Sequence, residues 1–252
     1  MYSNRYIFIY SSIMVIIVAA ILSSAAMFLK PIQDKNMATA KMQGILAAAD
    51  ITATSIDAEE LYAKYITEEL VIDKQGHVVS AFENNAFKSG DMRAFDLDIK
   101  KELYRKSMGE DFYTPLYVAH INNELIYIVP LLGKGLWGPI YGNIAFGPDF
   151  NRIIGAEFGH DKETPGLGAE INTRDFGQQF IGKTIFNQNG EFTSINVVKG
   201  GVSDLPQNLK IHGVDAISGG TITSNGVTDM LRNCLENYVP FIKDQVVNKK
   251  PV

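Results

Sequence analysis

The sequence predicts an α+β protein in which a single N-terminal transmembrane helix precedes a soluble domain of mixed helices and hairpins. Three observations carry this. Residues 6–29, YIFIYSSIMVIIVAAILSSAAMFL, hold no charge, proline or glycine. The rest of the chain mixes hairpin signals with helical periodicity and lacks a regular βαβ alternation. The mean hydropathy of +0.01 is high for a chain that is 20% charged, so its apolar residues are concentrated in one place.

A helix over residues 6–29 is roughly 36 Å long, enough to cross a hydrocarbon core of about 30 Å with some tilt. Its Ile, Leu, Phe and Val residues favour insertion by roughly 4–7 kcal/mol before the serines are counted against it. Arg5 and the Lys30-Pro31 pair bracket it, the latter as an expected stop. Ser23-Ser24-Ala25 offers a cleavage site, but the stretch exceeds a signal-peptide core of about 7–15 residues and is read as a retained anchor. Lys30, Lys35 and Lys41 balance Arg5 and the terminal amine across the span, so charge leaves the orientation open. Of 23 basic and 28 acidic residues, Arg5 and Lys30 are the only charges in the first 30 positions. The remainder carries 21 against 28, a net −7, and shows no basic stripe of the kind nucleic acid requires. The single cysteine, Cys234, excludes an internal disulfide, a CxxC redox pair and a cysteine-held iron–sulfur cluster. Redox chemistry in this chain therefore needs a borrowed cofactor.

After the anchor, residues 32–49 suit a stalk helix, rich in Ala, Met, Lys and Gln. A second helix is expected over 57–67, capped by Ser55 or Asp57. Leu70-Val71-Ile72 and His77-Val78-Val79 flank a turn at 73–76. Residues 116–121 and 125–129 flank Asn122-Asn123, a pair that tolerates the positive φ of a tight hairpin. Strand signals continue at 139–146 and 152–158. A third hairpin is expected around Asn189-Gly190, between 184–186 and 192–198. Helices are expected at 169–180 and 224–242, the latter with Val227, Met230, Leu231, Cys234, Leu235, Tyr238 and Ile242 on one face. Cys234 reads as a small buried hydrophobe.

The four histidines, His77, His120, His160 and His212, show no metal-ligand spacing. No GxSxG elbow occurs. The GxxxxGK[ST] string at 177–184 runs from an expected helix into an expected strand, and the GxGxxG string at 133–138 lies between strand signals, so neither has the strand-then-helix setting of a Walker loop or a dinucleotide fingerprint. His160 opens a run ending in Thr164-Pro165-Gly166-Leu167-Gly168, whose glycines bring backbone close to whatever packs there. The segment from Asp215 to Val227, DAISGGTITSNGV, runs through two glycines into the amino end of the last helix, with Thr223 or Ser224 as the expected N-cap. Free N–H groups and the helix dipole suit that place to a phosphate, with Ser218, Thr221, Thr223 and Ser224 offering hydroxyls. Read alone, it is equally a polar strand-to-helix turn.

Asp215-Ala216-Ile217-Ser218-Gly219-Gly220-Thr221 resembles the flavinylation motif Dxx[ST]GAT of the FMN-binding domain family, whose last threonine carries FMN through a phosphoester. Residues 135–142, GLWGPIYG, and 163–168, ETPGLG, match that family in the same order. With the lone anchor and the overall length, the chain is similar to the family of C subunits of sodium-translocating NADH:quinone oxidoreductases. The motifs span roughly 135–242; residues 31–134 match in length and layout. Gly220 departs from the family's usual alanine, preserving smallness and loosening the backbone.

The resemblance implies a division into an anchor at 1–30, a stalk and first part of the soluble domain at 31–134, and an FMN-binding domain at 135–252. It implies covalent FMN on Thr221, transferred from FAD by a separate flavin transferase, with Ser218, Gly219, Gly220, Thr223 and Ser224 around the phosphate. The ring is then expected against Leu136, Trp137, Glu163, Thr164, Gly166, Leu167 and Gly168. No catalytic residue and no metal are expected. The implied role is an electron-carrier component that works with other integral membrane subunits in NADH-to-quinone transfer coupled to sodium export. The implied location is the bacterial inner membrane, with the soluble domain on the periplasmic side. Two alternatives are the G subunit of the related ferredoxin:NAD oxidoreductase (Rnf-type) complex and an anchored binding module without flavin.

Overall fold

The computed structural model describes residues 3–248. It opens with helix α1, Asn4–Ala48, and the chain divides into two units after Met42. In the first unit the apolar side chains of α1 are exposed, and the helix is long and apolar enough to cross a membrane. Pro31 lies inside this helix rather than ending it. A proline removes one backbone hydrogen bond and crowds the preceding turn, yet good helix formers on both sides continue the chain.

The second unit is built on an antiparallel sheet. Helix α2, Ala58–Tyr65, leads into strand β1, Ile66–Asp73. Asp57 precedes α2 without capping it, because its Oδ1 accepts from the Thr54 amide and hydroxyl instead. Strands β2 (Val78–Glu83) and β3 (Ala86–Ser89) follow, then helix α3 (Ile99–Ser107). Strands β4 (Tyr113–Ile121), β5 (Glu124–Lys134), β6 (Pro139–Phe146) and β7 (Ile153–His160) complete a seven-stranded sheet of order β3-β2-β1-β4-β5-β6-β7. The β4–β5 turn is the expected one: Asn122 and Asn123 have φ of 51° and 66°, the left-handed values of a two-residue hairpin loop.

Beyond the sheet the sequence expectations need correction. The helix expected at 169–180 is a 3₁₀ turn, Gly168–Asn172, and a short helix α4, Arg174–Gln178, separated by Thr173, whose side chain caps α4. The third hairpin reduces to a turn with a single bridge between Phe186 and Phe192. Asn151 Oδ1 takes the amides of Ile185 and Phe186, which denies them to a partner strand. Strand β8, Asn196–Val198, pairs instead in parallel with β9, Gly213–Asp215, after the short helix α5, Gln207–Lys210. The last helix starts three residues earlier than expected, as α6, Thr221–Leu235; a 3₁₀ turn joins it to α7, Val239–Asn248.

Helix α6 lies on the sheet through the stripe the sequence shows. Val227, Met230, Leu231, Cys234 and Leu235 are buried among Val129, Leu131, Ile140, Ile144 and Phe146. Each fully buried side chain of this kind stabilises the fold by about 1.5–3 kcal/mol. Gly226 lets the helix approach β5: a Cβ there would stand 2.4 Å from the Lys134 carbonyl oxygen. Phe150 stacks on Phe146 at a centroid distance of 5.1 Å, and the Tyr238 hydroxyl donates to the Pro115 carbonyl at 2.5 Å. These contacts fix where the first turn of α6 emerges.

Candidate functional site

Three loops meet at that first turn. Between β5 and β6 the chain reverses through residues 135–138, the Gly135 amide donating to the Gly138 carbonyl at 2.8 Å. The tip presents Leu136 and Trp137, 47% and 63% exposed. After β7 the chain turns again through residues 161–168. Gly166 takes a φ of +75°, and the amides of Leu167 and Ala169 both donate to the Thr164 carbonyl at 3.1 Å. The third loop follows β9: the Gly220 amide donates to the Ile217 carbonyl at 3.0 Å, with Gly219 at φ +74°. A side chain at Gly219 would be strained in that conformation and would stand 2.5 Å from Leu167 Cδ2.

Glu163 ties the three loops together. It is buried, 5% exposed, and both carboxylate oxygens are used. Oε1 accepts from the Trp137 amide at 2.8 Å and Oε2 from the Thr223 hydroxyl at 2.5 Å. Its own amide donates to His160 Nδ1 at 3.3 Å. Two glycines make room for this carboxylate. A Cβ on Gly135 would stand 2.5 Å from Oε1; one on Gly168 would stand 2.5 Å from Oε2 and 2.4 Å from Thr223 Oγ1.

The N-cap of α6 is Gly220, with no side-chain cap. The expected caps are engaged elsewhere: Thr223 donates to Glu163, and Ser224 Oγ accepts from the Ile217 amide at 3.1 Å. The amides of Thr221, Ile222 and Thr223 therefore open the helix without an intrahelical acceptor, at the positive end of its dipole. They face a cavity of about 240 Å³ lined by Leu136, Glu163, Thr164, Leu167, Gly168, Gly219, Gly220, Thr221, Ile222 and Thr223. Larger hollows of about 350 and 510 Å³ lie elsewhere, around His212 and beside Lys134. Neither combines a helix amino end with two glycines.

Most sequence-selected positions thus converge. Leu136, Glu163, Thr164, Leu167, Gly168, Gly219, Gly220, Thr221 and Thr223 share the cavity wall. Trp137, Gly166 and Ser218 stand beside it on the same loops, and Ser224 points inward. Sequence reasoning missed Ile222, which is 58% exposed at the cavity edge. Its place in the Asp215–Val227 segment is visible, but no residue-type rule separates it from core.

Residues 135–236 match the FMN-binding domain family. The C subunit of the Na(+)-translocating NADH-quinone reductase of Haemophilus ducreyi is 32% identical over 86% of this chain and 84% of its own length. Its counterpart from Neisseria meningitidis serogroup A is 34% identical over 90% and 88%. Among solved structures, the C subunit of the Parabacteroides distasonis enzyme superposes with a TM-score of 0.71 at 40% identity, covering 85% of this chain and 96% of that one. Shewanella oneidensis NqrC gives 0.63 at 26% identity, covering 83% and 99%. The chain belongs to the family of C subunits of Na(+)-translocating NADH-quinone reductases, an oxidoreductase-complex component with an FMN-binding domain.

Proposed function

We propose that Thr221 carries FMN as a phosphoester and that this chain relays electrons between redox partners of the membrane complex. The observation that carries the reading is the position of Thr221, the first residue of an uncapped 15-residue helix, half-buried on the wall of the cavity. A phosphate there meets three free amides and the helix dipole, and Gly219 and Gly220 leave its approach clear of side chains. Thr221 Oγ would form the bond to the flavin phosphorus. The pyrophosphate bond of an FAD donor breaks, AMP leaves, and the hydroxyl proton passes to solvent.

The surroundings fit the flavin. Leu136 and Leu167 offer apolar walls, and the loop at 164–168 offers backbone groups, the combination that a flat ring with polar edges takes. The cavity of about 240 Å³ is smaller than the roughly 300–1,000 Å³ of sites that enclose a drug-sized ligand. The ring would therefore be held along one side and remain open to an electron partner on the other. Bound flavin supplies the electron acceptor and donor; the chain supplies attachment, orientation and one shielded face.

The same reading places α1 as the anchor in the bacterial inner membrane, with the soluble unit on the periplasmic side beside the other integral membrane subunits. A separate flavin transferase acts during maturation. The relatives named above are C subunits of Na(+)-translocating reductases, which supports this reading over the Rnf-type alternative. Co-expression with a flavin transferase is expected to give a fluorescent band that survives denaturing electrophoresis and is lost in Thr221→Ala. A band of wild-type intensity in that variant sinks the attachment site.

A further inference from the structure

The segment that enters α6 offers four hydroxyls within seven residues, so modification at one of them needs a selector. The structure distinguishes them. Thr223 is 2% exposed and donates to Glu163 Oε2; Ser224 is 1% exposed and accepts from the Ile217 amide. Ser218 is exposed but lies off the cavity wall, whereas Thr221 is on it. Of the two threonines that this segment sets on the cavity wall, only Thr223 is tied to an acid.

We infer that Glu163 is the positioning residue that selects the modified threonine. Its Oε2 holds the Thr223 hydroxyl inward, and its Oε1, bound to the Trp137 amide, holds the β5–β6 turn that closes the cavity above it. A hydroxyl whose proton is committed to a buried carboxylate is turned away from an entering phosphorus. Within this segment, Thr221 remains the one cavity-facing hydroxyl free to take the flavin phosphate. Gly135 and Gly168 belong to the same device, since a Cβ at either would displace the carboxylate. The inference rests on Thr221 being the acceptor and adds what excludes its neighbour two residues on.

The geometry separates two substitutions. Glu163→Gln can keep the clamp by reversing one bond: the amide oxygen accepts from Trp137, and the amide nitrogen donates to Thr223 Oγ1. Glu163→Ala cannot. The full-length chain is co-expressed with flavin transferase, and the flavin-bearing residue is located by peptide mass mapping. Wild type and Glu163→Gln should carry flavin on Thr221. Glu163→Ala should lower Thr221 occupancy and raise Thr223-linked flavin roughly tenfold, the scale of losing a hydrogen bond to a carboxylate. If Glu163→Ala does not yield soluble protein, Glu163→Asp, one methylene short of spanning both partners, decides. Flavin confined to Thr221 in Glu163→Ala, or in Glu163→Asp where the alanine variant does not fold, overturns the selector role whatever the yield. Flavin missing from Thr221 in the wild-type chain overturns the acceptor assignment instead.

Discussion

The Glu163 clamp makes a quantitative prediction for the pair Gly168 and Thr223. In Gly168→Ala the new methyl stands 2.4 Å from Thr223 Oγ1 and 2.5 Å from Glu163 Oε2, inside any permissible contact. Both atoms are buried and hydrogen-bonded to each other, so the local structure must shift at an overpacking cost of about 1–3 kcal/mol. In Thr223→Ala the carboxylate loses one of its two donors, worth about 1.5–3 kcal/mol for a bond to a charged group. The double variant removes the closer clash, because alanine at 223 has no Oγ1 to meet, and the freed carboxylate oxygen can swing aside. Its cost should therefore fall short of the sum of the single costs by about 1 kcal/mol or more, as expected for residues in contact. Urea unfolding of the full-length chain in detergent micelles, followed by near-ultraviolet circular dichroism, gives the three free energies. Additivity within about 0.3–0.5 kcal/mol would refute the reasoning, since it is what independent sites show.

Trp137 is the chain's one tryptophan and is 63% exposed, so its emission should be long-wavelength and acrylamide-quenched in the unmodified chain and largely lost once flavin is attached; emission unchanged by flavin attachment would place the ring elsewhere. Burial pushes the Cys234 thiol up to about 11, so at pH 8 it should resist iodoacetamide until the chain is unfolded. A thiol raised above its unfolded value near 9 contributes stability that is complete below pH 9 and lost as pH rises toward 11, so urea midpoints should fall over that interval and fall less in Cys234→Ala. Gly220→Ala, which restores the family's usual residue, places a Cβ 3.1 Å from Ile217 Cβ and Cγ2 at an ordinary φ of −104°. The tight contact and the reduced unfolded-state entropy nearly offset, so stability should change by less than about 1 kcal/mol and flavin incorporation should persist.

What the sequence revealed and what it hid divide along local and non-local lines. The apolar run of α1, the stripe of α6 and the Asn122-Asn123 turn are written in consecutive residues, so periodicity and turn chemistry suffice to read them. Helix α3 is different: the one residue it buries is Glu102, which accepts from the Tyr113 amide, so no apolar stripe announces it. The α6 cap was misplaced because hydroxyls at Thr223 and Ser224 match the N-cap preference, yet both bond to groups outside the helix. The third hairpin failed because Asn151, over thirty residues upstream, takes the amides its strand needs. The three motifs name loops that the fold brings together around one cavity. The inward turn of Glu163 was invisible because its partner Thr223 lies 60 residues away and follows no local pattern. The resemblance implies a ligand contact for that carboxylate; in the fold it is the tie between the walls of the cavity.

The most direct measurement is the intact mass of the full-length chain matured with flavin transferase, followed by peptide mapping. The account predicts one added FMN phosphoester, located on Thr221, retained in Thr221→Ser and absent in Thr221→Ala. An unmodified wild-type mass, or the same addition in Thr221→Ala, would contradict it.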